Sequence, residues 1–449
     1  MSAARTQRFS AYGLSRLRRS EWFDRLPEER RFDIEVVSRV LPFRVNEFVL
    51  RELIDWDAPL DDPVFRLTFP HREMLRPEAY EAMAGLLRSG APRQETERLA
   101  RSLRAALNPH PAGQQTLNVP ELDGRAVPGV QHKYADTVLF FPSAGQTCHS
   151  YCTFCFRWPQ FVGAEDRFSA KDSAGLAAYL KAHPEVTDIL ITGGDPMVMR
   201  THRLAGYLEP LLSDPDLAHI RTIRIGTKSL TFWPHRYVHD EDAEDLLALF
   251  RRIVAGGRHL ALMAHVNHWR EMRSPLFGEA VRRIRSTGAV IRTQAPLLAH
   301  INDDPDVWSA LWQQQVALGM IPYYLFVERD TGADHYFQVP LERAWRIYAE
   351  SVRRVSGLAR TVRGPSMSCG PGKVEVQGVA EIRGERVFVL RFLQGRNAAW
   401  THQPFFAAHD PAATWFDELR PAFGQSRFFF SDEYDAMTRG ARPVPGTGG

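Results

Sequence analysis

The 449-residue sequence predicts an α/β protein built on a parallel sheet, with a helical region before it and a strand-containing extension after it. Three observations predict this. Six short apolar runs, at 137–141, 188–191, 222–225, 260–264, 289–292 and 321–326, end in loop residues. Segments with helical spacing lie between them, at 173–182, 202–212, 243–255, 277–286 and 307–317. Strand and helix alternating in this way give parallel strands joined by right-handed crossovers. Polar residues also gather at one end of the runs: Cys148 after the first, Gly193-Gly194-Asp195 after the second, His265, Asn267 and His268 after the fourth, Gln294 after the fifth. Six such units suit a partial barrel or an open doubly wound sheet, and both place their site at the carboxyl ends of the strands.

Residues 1–127 read as a mostly helical N-terminal cap. Stretches 20–40 and 77–107 carry apolar residues at helical spacing, and Pro- and Gly-rich stretches at 57–63, 109–113 and 127–129 interrupt them. Residues 128–375 hold the strand–helix units, a further helix from 345 to 356 and a loop, 366–373, that ends in Gly-Pro-Gly-Lys373. The extension, 376–449, opens within strand pairs around Arg383-Gly384-Glu385, and its last six residues are expected to be disordered.

Composition narrows the function. With 44% apolar and 24% charged residues the chain is an ordinary globular one. No apolar run approaches the ~18 residues of a membrane span. The first thirty residues hold Glu21, Asp24, Glu28 and Glu29 and no apolar signal core, so a cytoplasmic protein is expected. A net charge of +3 gives no argument for nucleic acid. Only five lysines accompany 51 arginines: Lys133, Lys171, Lys181, Lys228 and Lys373. Arginine can replace the charge of a lysine but not its nucleophilic amine. Lys171 and Lys181 read as solvated charge, and Lys228 has no role legible in sequence.

The strongest chemical signal is Cys148-His-Ser-Tyr-Cys152-Thr-Phe-Cys155. Three soft sulfur ligands this close suit an iron–sulfur cluster or zinc. Three thiolates on a four-iron cube leave one iron open to bind a substrate and pass it an electron. The alternative is a zinc knuckle with Cys369 or His149 as fourth ligand.

This loop, placed after the first strand and followed one strand later by Gly193-Gly194-Asp195, resembles the radical S-adenosylmethionine superfamily. Within it the chain resembles the lysine 2,3-aminomutase family from about residue 42 to 376. The resemblance is carried by the segment 127–139, the cysteine loop, 190–195, 224–226 with Pro234 and Arg236, 265–268, 293–295 with Asn302 and Asp303, 322–324, and Gly370-Pro-Gly-Lys373. It implies a partial (β/α)6 barrel. It implies a [4Fe-4S] cluster on Cys148, Cys152 and Cys155, and S-adenosylmethionine held by Gly193, Gly194 and Asp195, with His265, Asn267 and Gln294 facing it. It implies pyridoxal 5′-phosphate carried on Lys373 as a Schiff base, contacted by Lys133 and Tyr134. The implied substrate is a free amino acid whose α-carboxylate meets Arg157, and the implied reaction a 1,2-shift of its amino group started by a 5′-deoxyadenosyl radical. An electron donor such as flavodoxin or ferredoxin and a homo-oligomer are implied as partners. The alternative reading keeps the radical cluster without pyridoxal phosphate, in an enzyme that oxidises, epimerises or decarboxylates an amino-acid-derived metabolite.

Three departures bear on the substrate. Lys133 and Thr137 stand where the family has arginines toward the phosphate. Of two aspartates that hold the lysine side chain in the family, Asp303 matches the first and the second falls at Ser366, so a substrate other than, or besides, lysine is expected, with an arginine-like, ornithine-like or neutral side chain. Cys369 replaces a glycine, as an inert small residue or a reactive thiol.

Overall fold

The computed structural model describes residues 9–108, 117–163 and 168–439; the expected loop at 109–113 and the C-terminal six residues lie outside them. The N-terminal region is helical, with α1 (Glu28–Val37), α2 (Pro63–Thr68), α3 (Pro77–Arg88) and α4 (Arg93–Leu107). Then follow β1 (Val130–Tyr134), β2 (Thr137–Phe140), α5 (Ala174–Ala182), β3 (Asp188–Ile191), α6 (Thr201–Ser213), β4 (Thr222–Thr227), α7 (Ala243–Ala255) and β5 (His259–His265). The second half runs α8 (Pro275–Arg285), β6 (Val290–Leu297), α9 (Pro305–Ala317), β7 (Ile321–Val327), α10 (Leu341–Arg353), β8 (Arg363–Ser368), β9 (Gly372–Ile382), β10 (Glu385–Gly395), β11 (Pro404–Ala408) and α11 (Ser431–Arg439). Among the described residues no helix is long and apolar enough to cross a membrane.

These eleven strands join one sheet whose spatial order follows the chain, β1 to β11, while two-residue strands at 11–12 and 45–46, and at 121–122 and 125–126, pair off separately. Strands β2 to β8 are parallel, while β1 at one edge and β9 to β11 at the other run antiparallel. The sheet ends on β1 and β11 and does not close, so the expected α/β partial barrel is present with one more parallel strand than the six read from sequence. That strand, β8, contains Pro365, which removes a ladder donor, and its pairing with β7 slips between Tyr324 and Phe326. Gly364 there has φ +144°, and a Cβ would lie 2.2 Å from the Leu325 carbonyl oxygen, so only glycine fits.

Burial explains the pattern. In β5, Leu260 to Ala264 are all buried, as a central parallel strand with both faces covered requires. In α9, Trp308, Leu311, Trp312 and Gln315 recur at helical spacing and form the stripe that faces the sheet. The hairpin β9–β10 turns at Arg383 and Gly384, both at positive φ, as the sequence predicts. Residues 375 and 376 lie within β9, so the extension continues the sheet of the barrel. Bulges at Lys373/Val374 and Val376/Gly378 interrupt the β9–β10 ladder.

Asp62 fastens the N-terminal region to this sheet. Its buried carboxylate caps α2 by accepting from the N–H groups of Val64 (2.6 Å) and Phe65 (2.8 Å). Its other oxygen accepts from Arg270 (3.0 Å), in the loop after β5. Asp62→Ala is expected to lower unfolding free energy by about 1–2 kcal/mol through the lost cap. Urea denaturation measures this; a change within about 0.5 kcal/mol, the scatter of neutral surface substitutions, contradicts it.

Candidate active site

The cysteine loop leaves β2 and is gripped from two sides. Toward the N-terminal region, the Tyr151 N–H donates to the Arg44 carbonyl (2.8 Å), and Thr153 donates to the carbonyls of Leu67 (3.0 Å) and Arg66 (2.7 Å). Toward β3, the Asp195 N–H donates to the carbonyls of Thr147 (2.7 Å) and Gly145 (3.1 Å). A Cβ on Gly194 would sit 2.4 Å from the Thr147 oxygen, so this approach of two backbones needs glycine. The Asp195 carboxylate is buried and accepts from Thr227, the Met197 N–H and the Lys228 N–H. It therefore ties the end of β3 to the end of β4. Gly193, Gly194 and Asp195 thus have a scaffold role independent of any ligand.

Burial pushes all three thiols up, Cys155 to about 11, and Cys148 also feels Cys155 and Cys152. Each thiol has a cation that pulls the other way: Arg44 for Cys148, Lys228 for Cys152, Arg157 for Cys155. Among the described residues no three His, Cys, Asp or Glu side chains converge as one metal ion would need. A tetrahedral zinc would demand sulfurs ~3.8 Å apart, given Zn–S bonds of about 2.3 Å. Of the alternative fourth ligands, His149 keeps a buried Nδ1 without a hydrogen-bond partner among the described residues, and Cys369 lies apart from the loop. The His149 ring packs between Phe9 (5.3 Å) and Trp233 (6.3 Å). Cys369 is buried in the core of the C-terminal strands. Three mutually sensed thiols, each with a compensating cation, fit an anionic cluster.

The strand ends beside the loop carry a polar layer. The Gln294 amide meets His265 Nε2 at 2.8 Å, and burial pushes the His265 imidazole down to about 3, so it is neutral. Lys228, without a role in the sequence reading, donates to Glu271 (2.6 Å) and to Asn267 Oδ1 (2.8 Å). The Asn267 N–H donates to Glu271, and the Asn267 carbonyl accepts from Asn302 (3.0 Å). Asn267 Nδ2 is buried with no partner, a donor left over at the level of the cysteine loop. That orphan fits a polar ligand such as S-adenosylmethionine.

A second group forms around the lysine loop. Lys373 opens β9 opposite Ser368, with Nζ 4.0 Å from the Tyr324 ring centroid and 5.5 Å from that of Phe326. Burial lowers its amine well below the usual range, and the charges of Arg224, Arg363 and Lys133 add to this. Lys133 donates to the Cys369 carbonyl; burial pushes its amine down to about 7, with Arg396 and Arg329 adding repulsion. Tyr134 is buried in the same group. Arg396, which sequence reasoning missed, donates to the Gly370 carbonyl (2.9 Å) and to Asn118 (2.5 Å). As one of 51 arginines in an unassigned extension it carried no local signal. A buried amine of lowered pKa beside clustered cations fits an anionic aldehyde such as pyridoxal 5′-phosphate.

Arg157 lies over Phe141 (4.2 Å) and Phe156 (5.2 Å), and burial lowers its guanidinium to about 10. Two expected substrate residues are otherwise engaged. The Asp303 carboxylate forms an ion pair with the largely exposed Arg343 (2.6 Å) and accepts from the His300 N–H (3.1 Å). The fully buried Ser366 hydroxyl points to the Leu325 carbonyl (3.4 Å) within the sheet. Neither stands ready for a distal ammonium. Thr137 donates to Asp136 (3.0 Å).

A thiol loop at the carboxyl ends of a parallel sheet, followed by a glycine turn, is the arrangement that the resemblance to radical S-adenosylmethionine enzymes implies. Comparison narrows this. A curated protein of Aquifex aeolicus (strain VF5) described as "Putative L-lysine 2,3-aminomutase" is 31% identical over 89% of this chain and 93% of its own length. The L-lysine 2,3-aminomutases of Haemophilus influenzae and Escherichia coli (strain K12) are 29% and 31% identical over 56% and 53% of this chain, and 72% and 67% of their own. The chain belongs to the lysine 2,3-aminomutase family of radical S-adenosylmethionine enzymes, and membership implies a [4Fe-4S] cluster and S-adenosylmethionine. No protein-family model matches the chain. A solved radical S-adenosylmethionine methyltransferase from Kitasatospora setae, with cobalamin and a [4Fe-4S] cluster bound, covers 68% of this chain and 61% of its own at 14% identity and a TM-score of 0.30, too weak a likeness to carry an argument.

Burial pushes the Cys369 thiol up to about 12. Iodoacetamide at pH 8 should therefore leave Cys369 unmodified in the folded protein and alkylate it only after unfolding. Peptide mass spectrometry reads this; labelling of native Cys369 at the rate of a surface thiol contradicts it.

Proposed function

We propose that this chain is a pyridoxal 5′-phosphate-dependent radical aminomutase that shifts the amino group of a free amino acid other than lysine between neighbouring carbons. The observation that carries this is Lys373: a buried lysine amine 4.0 Å from the Tyr324 ring centroid, on a glycine-rich strand start, with its pKa lowered by burial and nearby cations. When bound, the cluster with S-adenosylmethionine supplies a hydrogen-abstracting radical, and pyridoxal phosphate supplies a π system on the substrate nitrogen.

The chain's own residues do the rest. Cys148, Cys152 and Cys155 hold the cluster, and Arg44, Lys228 and Arg157 offset its charge. Asn267 Nδ2 and the carbonyls of Gly193 and Gly194 offer the polar contacts for S-adenosylmethionine. Lys373 offers a nucleophilic amine whose pKa burial lowers well below the usual lysine range. Lys133 and Arg396 supply the cations that the phosphate needs, and Arg396 stands in for the arginine replaced by Thr137. Arg157 orients the α-carboxylate with a planar fork. The buried strand ends exclude water, which protects a radical from quenching. The commitments of Asp303 and Ser366 support a substrate without a distal ammonium.

Borohydride reduction of protein saturated with pyridoxal phosphate is expected to leave a pyridoxyl group on Lys373, read by peptide mass spectrometry. An unmodified Lys373 rejects the pyridoxal reading in favour of the pyridoxal-independent one. Cys152→Ala is expected to abolish deoxyadenosine release, measured by chromatography, while circular dichroism stays native. Arg157→Ala is expected to raise the amino-acid KM by about tenfold or more, as for loss of a buried charge contact; an unchanged KM rejects the carboxylate role.

A further inference from the structure

We infer that Tyr434, on the C-terminal helix α11, is a positioning residue for Lys373, acting through Gly370 at the head of the lysine loop. This rests on the reading of Lys373 as the cofactor lysine and extends its machinery into the last described helix. The loop carbonyls of residues 369 to 372 all have partners. Lys133 donates to the Cys369 carbonyl, the Arg396 side chain to that of Gly370 (2.9 Å), the Arg396 N–H to that of Pro371 (3.0 Å) and the Cys369 thiol to that of Gly372 (3.3 Å). These bonds fix the backbone, yet the two glycines are kept bare by different neighbours. At Gly372 a Cβ would collide with the Gln394 carbonyl oxygen and lie 2.8 Å from the Phe392 ring, so β10 excludes it. At Gly370 the three atoms nearest to a Cβ all belong to Tyr434: Oη well inside contact distance, then Cζ at 3.1 Å and Cε1 at 3.6 Å. Gly370 is not among the glycines at positive φ, so its backbone would accept a side chain. What excludes one is the Tyr434 ring.

The ring is set there by its neighbours. Phe430, one turn before it, is buried among Phe392 (4.9 Å), Trp400 (5.5 Å) and Phe405 (5.6 Å), and its carbonyl accepts the Tyr434 N–H (2.9 Å). Glu433 accepts from Trp400 Nε1 (2.9 Å) and from Asn397 Nδ2 (2.6 Å). Asn397 and Trp400 follow Arg396 directly after β10, so the segment that grips the loop also holds the helix. α11 has nine residues and none is buried. A helix that short is marginal by itself, so these contacts decide its position. The extension therefore grips the loop twice, with Arg396 at its carbonyls and Tyr434 at its bare glycine. A change at either end of the Tyr434–Gly370 contact passes along Pro371 and Gly372 to Lys373.

The test reads the loop with and without the cofactor. Protein reconstituted anaerobically with iron, sulfide and S-adenosylmethionine is mixed with pyridoxal phosphate. Schiff-base formation on Lys373 is followed by absorbance and fixed with borohydride, and circular dichroism checks the fold of each variant. Tyr434→Ala and Gly370→Ala are each expected to slow it by about tenfold or more, the scale of a small misplacement of a reacting group. The double variant Gly370→Ala/Tyr434→Ala is expected to be no slower than either, because both act through one contact. In Gly370→Ala/Tyr434→Phe the closest atom is gone, and part of the rate is expected to return. A wild-type rate in Tyr434→Ala overturns the inference, as do single effects that multiply in the double variant, or no recovery with Tyr434→Phe. Met437→Ser, at an exposed position of the same helix, is expected to keep the wild-type rate. An equal loss there assigns the effect to the helix in general and also overturns the inference. Hydrogen–deuterium exchange of the lysine loop, measured without pyridoxal phosphate, is expected to rise in Tyr434→Ala; unchanged exchange overturns the inference even where no Schiff base forms. The underlying reading fails separately, through a wild-type Lys373 that borohydride leaves without a pyridoxyl group.

Discussion

The site depends on one close approach of two backbones. The carbonyl of Thr147 accepts the N–H of Asp195 at 2.7 Å because Gly194, between two strand ends, has no Cβ to hold them apart. Everything that follows in the cysteine loop inherits its position from that bond. The Asp195 side chain extends the tie to β4 through Thr227 and the Lys228 N–H, which sets the Lys228 side chain toward Glu271 and Asn267. A loop held this way can present three thiols without a metal to organise them. The N-terminal region closes the other side through Arg44, Arg66 and Leu67, so the cap is part of the scaffold of the site.

Charge is arranged with the same economy. In a region of low dielectric an uncompensated thiolate is costly, and each cysteine has one cation nearby. The Lys228–Glu271 pair is deep, with Glu271 fully buried. Such a pair gives little net stability over apolar residues, but breaking it leaves a buried charge exposed to nothing. Its use here is positional, since it fixes Asn267. Around Lys373 the opposite rule holds: the neighbours of the amine are cations, and together with burial they lower its pKa.

Much of the fold was legible because its signals are local. Apolar runs bounded by loop residues predict parallel strands wherever they occur, and all six were found. The seventh was hidden by Gly364-Pro365, residues that argue against a strand unless the neighbouring carbonyl of Leu325 is known. The cysteine spacing is local too, as is Gly-Pro-Gly-Lys373. Lys228 and Arg396 are different. Their roles come from what lies across the fold, and among 51 arginines no residue type marks them out. The engagement of Asp303 follows from Arg343, forty residues away on α10. A match by motif cannot see that partner, so the motif names the position and the structure decides whether the side chain is available.

The bulge at Lys373/Val374 gives the C-terminal extension an unexpected job. Side chains alternate faces along a strand, so a slip of one residue would turn the amine away from Tyr324. Two pairings fix its face, with Ser368 on β8 and with Gln394 on β10, and the length of the β9–β10 hairpin is set at Arg383 and Gly384. The extension therefore acts as a second gauge that counts residues for the lysine from the outer side. Insertions in the outer loops of the barrel leave that count alone, whereas a single residue added or lost between 374 and 391 would set the β10 register against the β8 one.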